Sequence, residues 1–274
     1  MSEILKIDDI INLLDKTNKT LEDGFFINSS LDPITVKPMN AHHSKNILKS
    51  LIDGPFASTQ FTLTIYHVLK DTVVASLKDL TILDKALLLL QMRVKNMGNT
   101  ITVKMTGVDK KNKEVEIEEF VDLKAYLDNL KQNNTLTLIK TIEDSGYSCE
   151  IYYPSIEEEY RFEENFYKTK ILPLDENDVK ARRGLTAPIF LNTIAQYIKI
   201  LKIGDNEIVL KNRSVDERLA IVEKLPTSLL MKIIKEIDET YGKELSDKTY
   251  IKTTKNSIDY FGNIDISAAL FINA

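Results

Sequence analysis

SVDERLAIVEKLPTSLLMKIIKEIDETYGKELSDKTYIKTTKNSIDYFGNIDISAALF, residues Ser214 to Phe271, is the stretch whose reading decides the fold. Two short amphipathic helices meet in it at Leu225-Pro226. A small β-like segment follows and closes on Leu270-Phe271. With a helix-rich N-terminal part and two β-hairpins in the middle of the chain, this helical segment and its small β-like tail read as an α+β fold. Nothing in the stretch has the form of a catalytic motif.

The whole chain has 274 residues, enough for one or two domains with a sizeable core. Hydrophobic residues make up 43% and charged residues 28%, the balance of a globular protein and too apolar for a disordered one. The net charge of -5 argues against nucleic acid as the main partner, since phosphate binding draws on a basic excess. The single cysteine, Cys149, excludes an internal disulfide and an all-cysteine metal site. The opening residues MSEILKIDDIINLLDK carry acids where a signal peptide needs a basic flank, and no apolar run is long enough for a membrane span. Synthesis and retention in the cytosol are expected.

Upstream of the opening stretch the chain reads in order as follows. Ile4, Leu5, Ile7, Ile10, Ile11, Leu13 and Leu14 predict a short amphipathic helix in an N-terminal arm, residues 1–30. Phe25-Phe26 in that arm is either part of a tether or a pair of aromatic anchors for a partner. Ile34 to Val36, bracketed by Pro33 and Pro38, reads as an edge strand. Asn40 reads as the N-cap of a helix with Ile47, Leu48, Leu51 and Ile52 on its apolar face. FTLTIYHVL, residues 61–69, fits strand or helix, and helix is the choice.

Thr81 to Met97 is the clearest helix. Thr81 with Asp84 has the form of a capping box, Gly98 ends it, and Leu83, Leu87, Leu90, Val94 and Met97 share a stripe. Ile82, Ala86 and Leu89 widen that stripe, so the helix should be buried on most sides. Ile101, Val103 and Met105, the turn DKKNK, and Val115 and Ile117 predict a hairpin with one wet face. A helix bearing Leu123, Leu127 and Leu130 follows. A second hairpin runs from TLTLIKTI through Asp144-Ser145-Gly146 to YSCEIYY, and SIEEEYRFEENFYKTK is an acidic-aromatic helix or loop. The polar residues 173–188 suggest a boundary. After it, Leu191, Ile194, Ile198 and Leu201 predict a helix over Phe190 to Leu201, and the chain then turns at Gly204-Asp205-Asn206. The expected units are the arm, an α+β domain over 31–175, and a C-terminal helical domain over 186–274 with a small terminal β segment.

Candidates for chemistry are few. Adjacent His42 and His43 point about 100° apart on a helix, and the i, i+4 spacing of helical zinc pairs is missing, so capping or surface roles suit them and His67 better. Cys149 lies mid-strand and reads as a buried structural thiol. Glu157-Glu158-Glu159 with Glu163-Glu164 offers paired carboxylates in principle, but a solvated helix face explains the run better. Arg182-Arg183 beside Gly184 is a common loop pair that singles out no partner. No nucleophile elbow, dinucleotide or phosphate loop is present. The expectation is no catalytic, cofactor or metal residue, and a binding or assembly role.

Several separate stretches nevertheless agree with one family. Pro33-Ile34-Thr35-Val36-Lys37-Pro38 with Lys45-Asn46-Ile47-Leu48, Leu80-Thr81-Ile82-Leu83-Asp84 leading to Leu90-Gln91-Met92-Arg93, and Ile151-Tyr152-Tyr153-Pro154-Ser155-Ile156 come first. Ser214-Val215-Asp216-Glu217-Arg218, Leu225-Pro226, Leu229 to Ile237 and Leu270-Phe271 complete the series. In this order the chain resembles the T4-type phage tail baseplate family of hub subunits and hub-assembly proteins.

The resemblance implies a late phage protein in the virion tail baseplate or the infected-host cytoplasm. It would bind baseplate hub or tape-measure proteins within a hetero-oligomeric assembly, as a structural subunit or a chaperone-like factor. No catalytic residues come with the family. Its members also imply a cysteine pair, and so a metal knuckle, before the closing apolar residues. Here Ile251 to Ile258 has no cysteine, so zinc is not expected. Apolar burial of Ile251, Ile258, Tyr260, Phe261, Ile264, Ile266, Leu270 and Phe271 would have to hold the tail instead. Two other functions compete: a host-directed regulatory binder, and a tail-associated cell-wall hydrolase using Glu159 and Glu163.

Overall fold

Four capping boxes set the helix starts. In each, a side-chain oxygen at the N-cap accepts from the N3 backbone, and the N3 side chain answers the N-cap amide. The pairs are Asn40 with His43, Thr81 with Asp84, Ser155 with Glu158 and Ser214 with Glu217. This computed structural model describes residues 33–51, 56–130, 140–174 and 184–271. The arm 1–30 with Phe25-Phe26, and Arg182-Arg183, lie outside the described residues.

The capped helices are α1 (Ala41–Ser50), α3 (Ile82–Met97), α5 (Ile156–Phe166) and α7 (Val215–Val222). Helix α2 (Ala57–Thr72) covers the ambiguous FTLTIYHVL, as expected. Ile34 to Val36 forms no strand. Ile34 and Val36 are isolated bridge residues, Val36 pairing with Val73, and the flanking Pro33 and Pro38 disfavour a longer ladder.

Strands β1 (Thr100–Val108) and β2 (Glu114–Asp122) form the first hairpin, and α4 (Leu123–Asn129) follows. Strands β3 (Lys140–Asp144) and β4 (Tyr147–Ile151) form the second, around Ser145 and Gly146, both at positive φ. Helix α6 is Thr186–Tyr197, and β5 (Ile198–Ile203) and β6 (Asn206–Val209) come next. The helix expected over Phe190 to Leu201 therefore ends early. Ile198 and Leu201 belong to a strand because IKILKI pairs antiparallel with β4, from Ile151↔Ile198 to Tyr147↔Ile203. Helix α8 (Thr227–Ile237) continues as a wider turn, then as α9 (Lys243–Asp247), and the chain closes with β7 (Tyr250–Lys255) and β8 (Ile258–Asn263).

The strands form two four-stranded sheets, β2-β1-β8-β7 and β3-β4-β5-β6. Each takes one hairpin from before the polar residues 173–188 and one from after. The boundary expected there is crossed by both sheets, so the core is not partitioned into 31–175 and 186–274.

Among the described residues two large apolar cores result, beside a small cluster of Phe166, Ile171 and Leu185. One joins α1, α2, most of α3, the inner face of the first sheet and the closing Leu270-Phe271. The other joins the second sheet to α5, α6, α7 and α8. Helix α3 passes between them: Ile82 and Leu83 belong to the second core, and Leu87 to Leu90 with Met92 belong to the first. The N-termini of α3 and α5 are laced together, with Ile82 donating to the Pro154 carbonyl (3.2 Å) and Ile156 to that of Leu80 (2.8 Å).

In the tail, Tyr260, Ile264, Leu270 and Phe271 are buried, and Ile251, Ile258 and Ile266 pack against the core. Phe261 is the exception to the expected tail core. It is exposed because alternation along β8 turns it away from buried Tyr260.

Candidate interaction surface

Of the sequence candidates, the histidines, Cys149 and the acidic run lie among the described residues. His43 is buried and caps α1: its Nδ1 accepts from the Asn40 amide (3.2 Å), which places its proton on Nε2, 3.3 Å from Asp71 Oδ2. All three histidines line one cleft of about 430 Å³ on α1 and α2, with Asp71 and Lys49. A metal at His43 Nε2 would need a lone pair where the cap fixes a proton. Among the described residues no group of three histidine, cysteine, aspartate or glutamate side chains is placed to hold a metal ion. Cys149 is fully buried in β4, where burial, reinforced by Glu150, pushes its thiol up to about 12.

The acidic run is not the solvated face its composition suggested. Glu159 pairs with Lys85 on α3, and both are largely shielded. Glu158, besides capping α5, accepts from the Tyr152 hydroxyl (2.5 Å). Glu163 accepts from Asn192 (3.3 Å), Thr59 and Gln196, and burial above all raises its carboxyl pKa. Glu157 pairs with Arg161, and Glu164 with Lys168 (2.9 Å) and the Tyr160 hydroxyl (2.8 Å). Glu159 and Glu163, the carboxylates of the hydrolase reading, are thus both spent on internal partners.

Two arginines that sequence reading assigned no role of their own organise the helix ends. Arg218, only 2% exposed, donates to the carbonyls of Ala195 (3.1 and 2.5 Å), Gln196 (2.9 Å) and Ile198 (3.1 Å). It also stacks on Phe162 at 4.8 Å. Its positive charge closes the C-terminal end of α6 just where the helix gives way to β5. Arg93 repeats the device, donating to the Gly98 (2.8 Å) and Thr100 (3.2 Å) carbonyls between α3 and β1. Both fall on apolar stripes, Arg93 three and four residues after Leu90 and Leu89, Arg218 three after Val215. A charge in such a stripe is the signal that could have found them.

What the chain offers outward is the other face of the first sheet. Phe120 is 76% exposed and Val108 60%. Tyr250 and Phe261 stack at 6.0 Å and 24°, with the Lys252 ammonium 5.3 Å over the Phe261 ring. Lys252 also pairs with Asp259 (2.6 Å), and its hydrogen bond, with one from Thr254, holds the Asp259 carboxyl below its ordinary range. Strands β1 and β8 pair only at Thr106↔Phe261 and Gly107↔Tyr260. Their approach needs glycine: a Cβ on Gly107 would lie 2.7 Å from the Asp259 carbonyl oxygen, and one on Gly262 2.8 Å from that of Lys104. Beyond this junction the two segments part around a cleft of about 580 Å³. Thr102, Lys104, Glu118, Asn263, Asp265 and Leu270 are among its walls. Exposed aromatics, paired charges and a cleft of mixed polar and apolar lining suit recognition of another protein surface. No helix among the described residues is long and apolar enough to cross a membrane.

Comparison with curated proteins and with solved structures gave no match. A family model described as T4 bacteriophage base plate protein matches residues 25–261, from before α1 into β8. That span is most of the chain, which belongs to the T4 bacteriophage base plate protein family and has a structural role in the phage baseplate.

Proposed function

We propose that the chain serves the hub of the phage tail baseplate, as a hub subunit or as a chaperone-like factor that helps hub and tape-measure proteins assemble. It acts by binding other tail proteins and performs no catalysis. The observation that carries this reading is the family match over residues 25–261, supported by the exposed aromatic face of the first sheet. The internal engagement of Glu159 and Glu163 supports the non-catalytic part.

The test is a pull-down of the intact chain against hub and tape-measure proteins of the same phage. Retention of at least one of them is expected, together with loss of tails when the protein is removed. Tail formation that proceeds normally without the protein sinks the proposal. Mass spectrometry of purified particles then separates a permanent subunit, present in the virion, from a transient factor, absent from it.

A further inference from the structure

Strand β2 is outermost in the first sheet, and among the described residues no strand pairs along its other side. Its nine residues run in unbroken register against β1, from Thr100↔Asp122 to Val108↔Glu114. A long regular edge of this kind is a template for another chain, and natural edges are usually shortened, bulged or charged to prevent it. Here the backbone is neither short nor bulged, and charge is the device present.

The outward side chains of β2 are Glu114, Glu116, Glu118, Phe120 and Asp122, all exposed. Asp122 is spent on capping α4, where it accepts from the Lys124 (2.9 Å) and Ala125 (3.0 Å) amides. Glu114, Glu116 and Glu118 make no ion pair or side-chain hydrogen bond with the described residues, although Glu118 faces Lys104 across the ladder. Phe120 is the most exposed of the large hydrophobic side chains described. Opposite it on β1 is Thr102, at the wall of the cleft between β1 and the segment after β8. An acidic row ending in an uncovered aromatic ring therefore lines an open backbone edge.

We propose that β2 is the docking edge for an extended basic segment of a partner protein, which joins the sheet as a fifth strand. Lysine or arginine on the incoming strand faces Glu114, Glu116 and Glu118, and an apolar side chain covers Phe120. Directly opposed side chains on neighbouring strands lie close enough for opposite charges to attract and like charges to repel. That rule selects the occupant: two copies of this chain joined edge to edge would set acidic rows against each other. Lys110, Lys111 and Lys113 in the β1–β2 turn would repel a basic strand running past Glu114, so the segment ends there. This deepens the binding role proposed above, yet its test needs no natural partner.

The probe is a capped nonapeptide alternating lysine with threonine and carrying one valine, with a counterpart in which every lysine is glutamate. Each is titrated against the intact chain by fluorescence anisotropy, and backbone hydrogen exchange locates the contact. Expected are protection within residues 114–122 by the lysine peptide, at least about tenfold weaker binding of the glutamate peptide, and loss of affinity on adding salt. The triple variant Glu114→Lys, Glu116→Lys, Glu118→Lys, checked for an unchanged circular-dichroism spectrum, should reverse the preference. Phe120→Ala should weaken binding without reversing it.

Equal binding of the two peptides, binding of neither, or protection elsewhere overturns the proposal. So does self-association that protects 114–122 without peptide, which would make a second copy the occupant. A failed pull-down alongside successful peptide docking would instead count against the hub role and leave the edge assignment standing.

Discussion

Arg218 shows how one buried charge joins separate parts of the chain. It leaves α7, crosses to the end of α6, and satisfies carbonyls that the turn from helix to strand leaves without amide partners. Replacing it with methionine keeps much of the volume but strands those acceptors. Arg218→Met should cost about 3–5 kcal/mol in urea unfolding. Arg218→Lys should recover only part of that loss, because an ammonium lacks the planar fork.

Glu163 makes a second prediction at this scale, one of sign. Burial raises its carboxyl above the ordinary 4.5, so between the unfolded and folded values the native state holds the extra proton. Its contribution to stability is fully present below about 4.5 and is lost as pH rises through the folded value. Glu163→Gln should therefore match or exceed the wild type in stability at pH 7. That relative advantage should disappear as pH falls towards 4, as read from paired denaturation curves. Neither residue was fully legible in the sequence. Arg218 interrupts an apolar stripe, a visible clue. The inward turn of Glu158, Glu159 and Glu163 depends on Lys85, Tyr152 and Asn192, which are distant along the chain or belong to other elements.

Local grammar succeeded at the scale of single elements wherever it governed. The N-caps Asn40 and Thr81 and the turn at Ser145-Gly146 stand as read, since each depends on neighbours a few residues away. It failed at β5. Leu191, Ile194, Ile198 and Leu201 keep helical spacing, and β5 preserves part of it: its buried residues are Ile198 and Leu201, three apart across a register shift opposite Glu150 and Ile151. What chooses between helix and strand is the open edge of β4, a partner that periodicity does not reveal.

Helix α3 was legible over most of its length, though Met97, placed on the apolar stripe, is exposed at the last turn. Its wide apolar stripe matches burial on nearly every side. Leu90→Ala should cost about 2–5 kcal/mol, measured by thermal or chemical unfolding. The tail was read as held by apolar contacts in place of a cysteine-bound metal. A chelator should then leave the melting temperature unchanged, and a fall would show that a bound metal contributes.

The molecule as a whole is interleaved: both sheets close with strands from the C-terminal part, and α3 links the two cores. The polar residues 173–188 look like a linker in one dimension, but the tertiary contacts run across them. A chain cut between residues 175 and 183 should therefore stay together as a two-fragment complex on size exclusion. The fragment 1–175 expressed alone should lose cooperative unfolding, because it lacks β5 to β8. A fragment 1–175 that unfolds with the intact protein's cooperativity would contradict this.

The place of β8 between β1 and β7 also fixes a timetable. Strand β1 ends at Val108, whereas β8 begins only at Ile258. With β2 complete at Asp122 and elongation at about 5–20 residues per second, the β1–β2 hairpin is finished roughly 7–27 s before its inner neighbour begins. Throughout that interval the hairpin has α1, α2 and α3 available to its apolar face, but it shows two open backbone edges. A stop codon before Ile258 would make the exposure permanent and turn a late truncation into an aggregation-prone product.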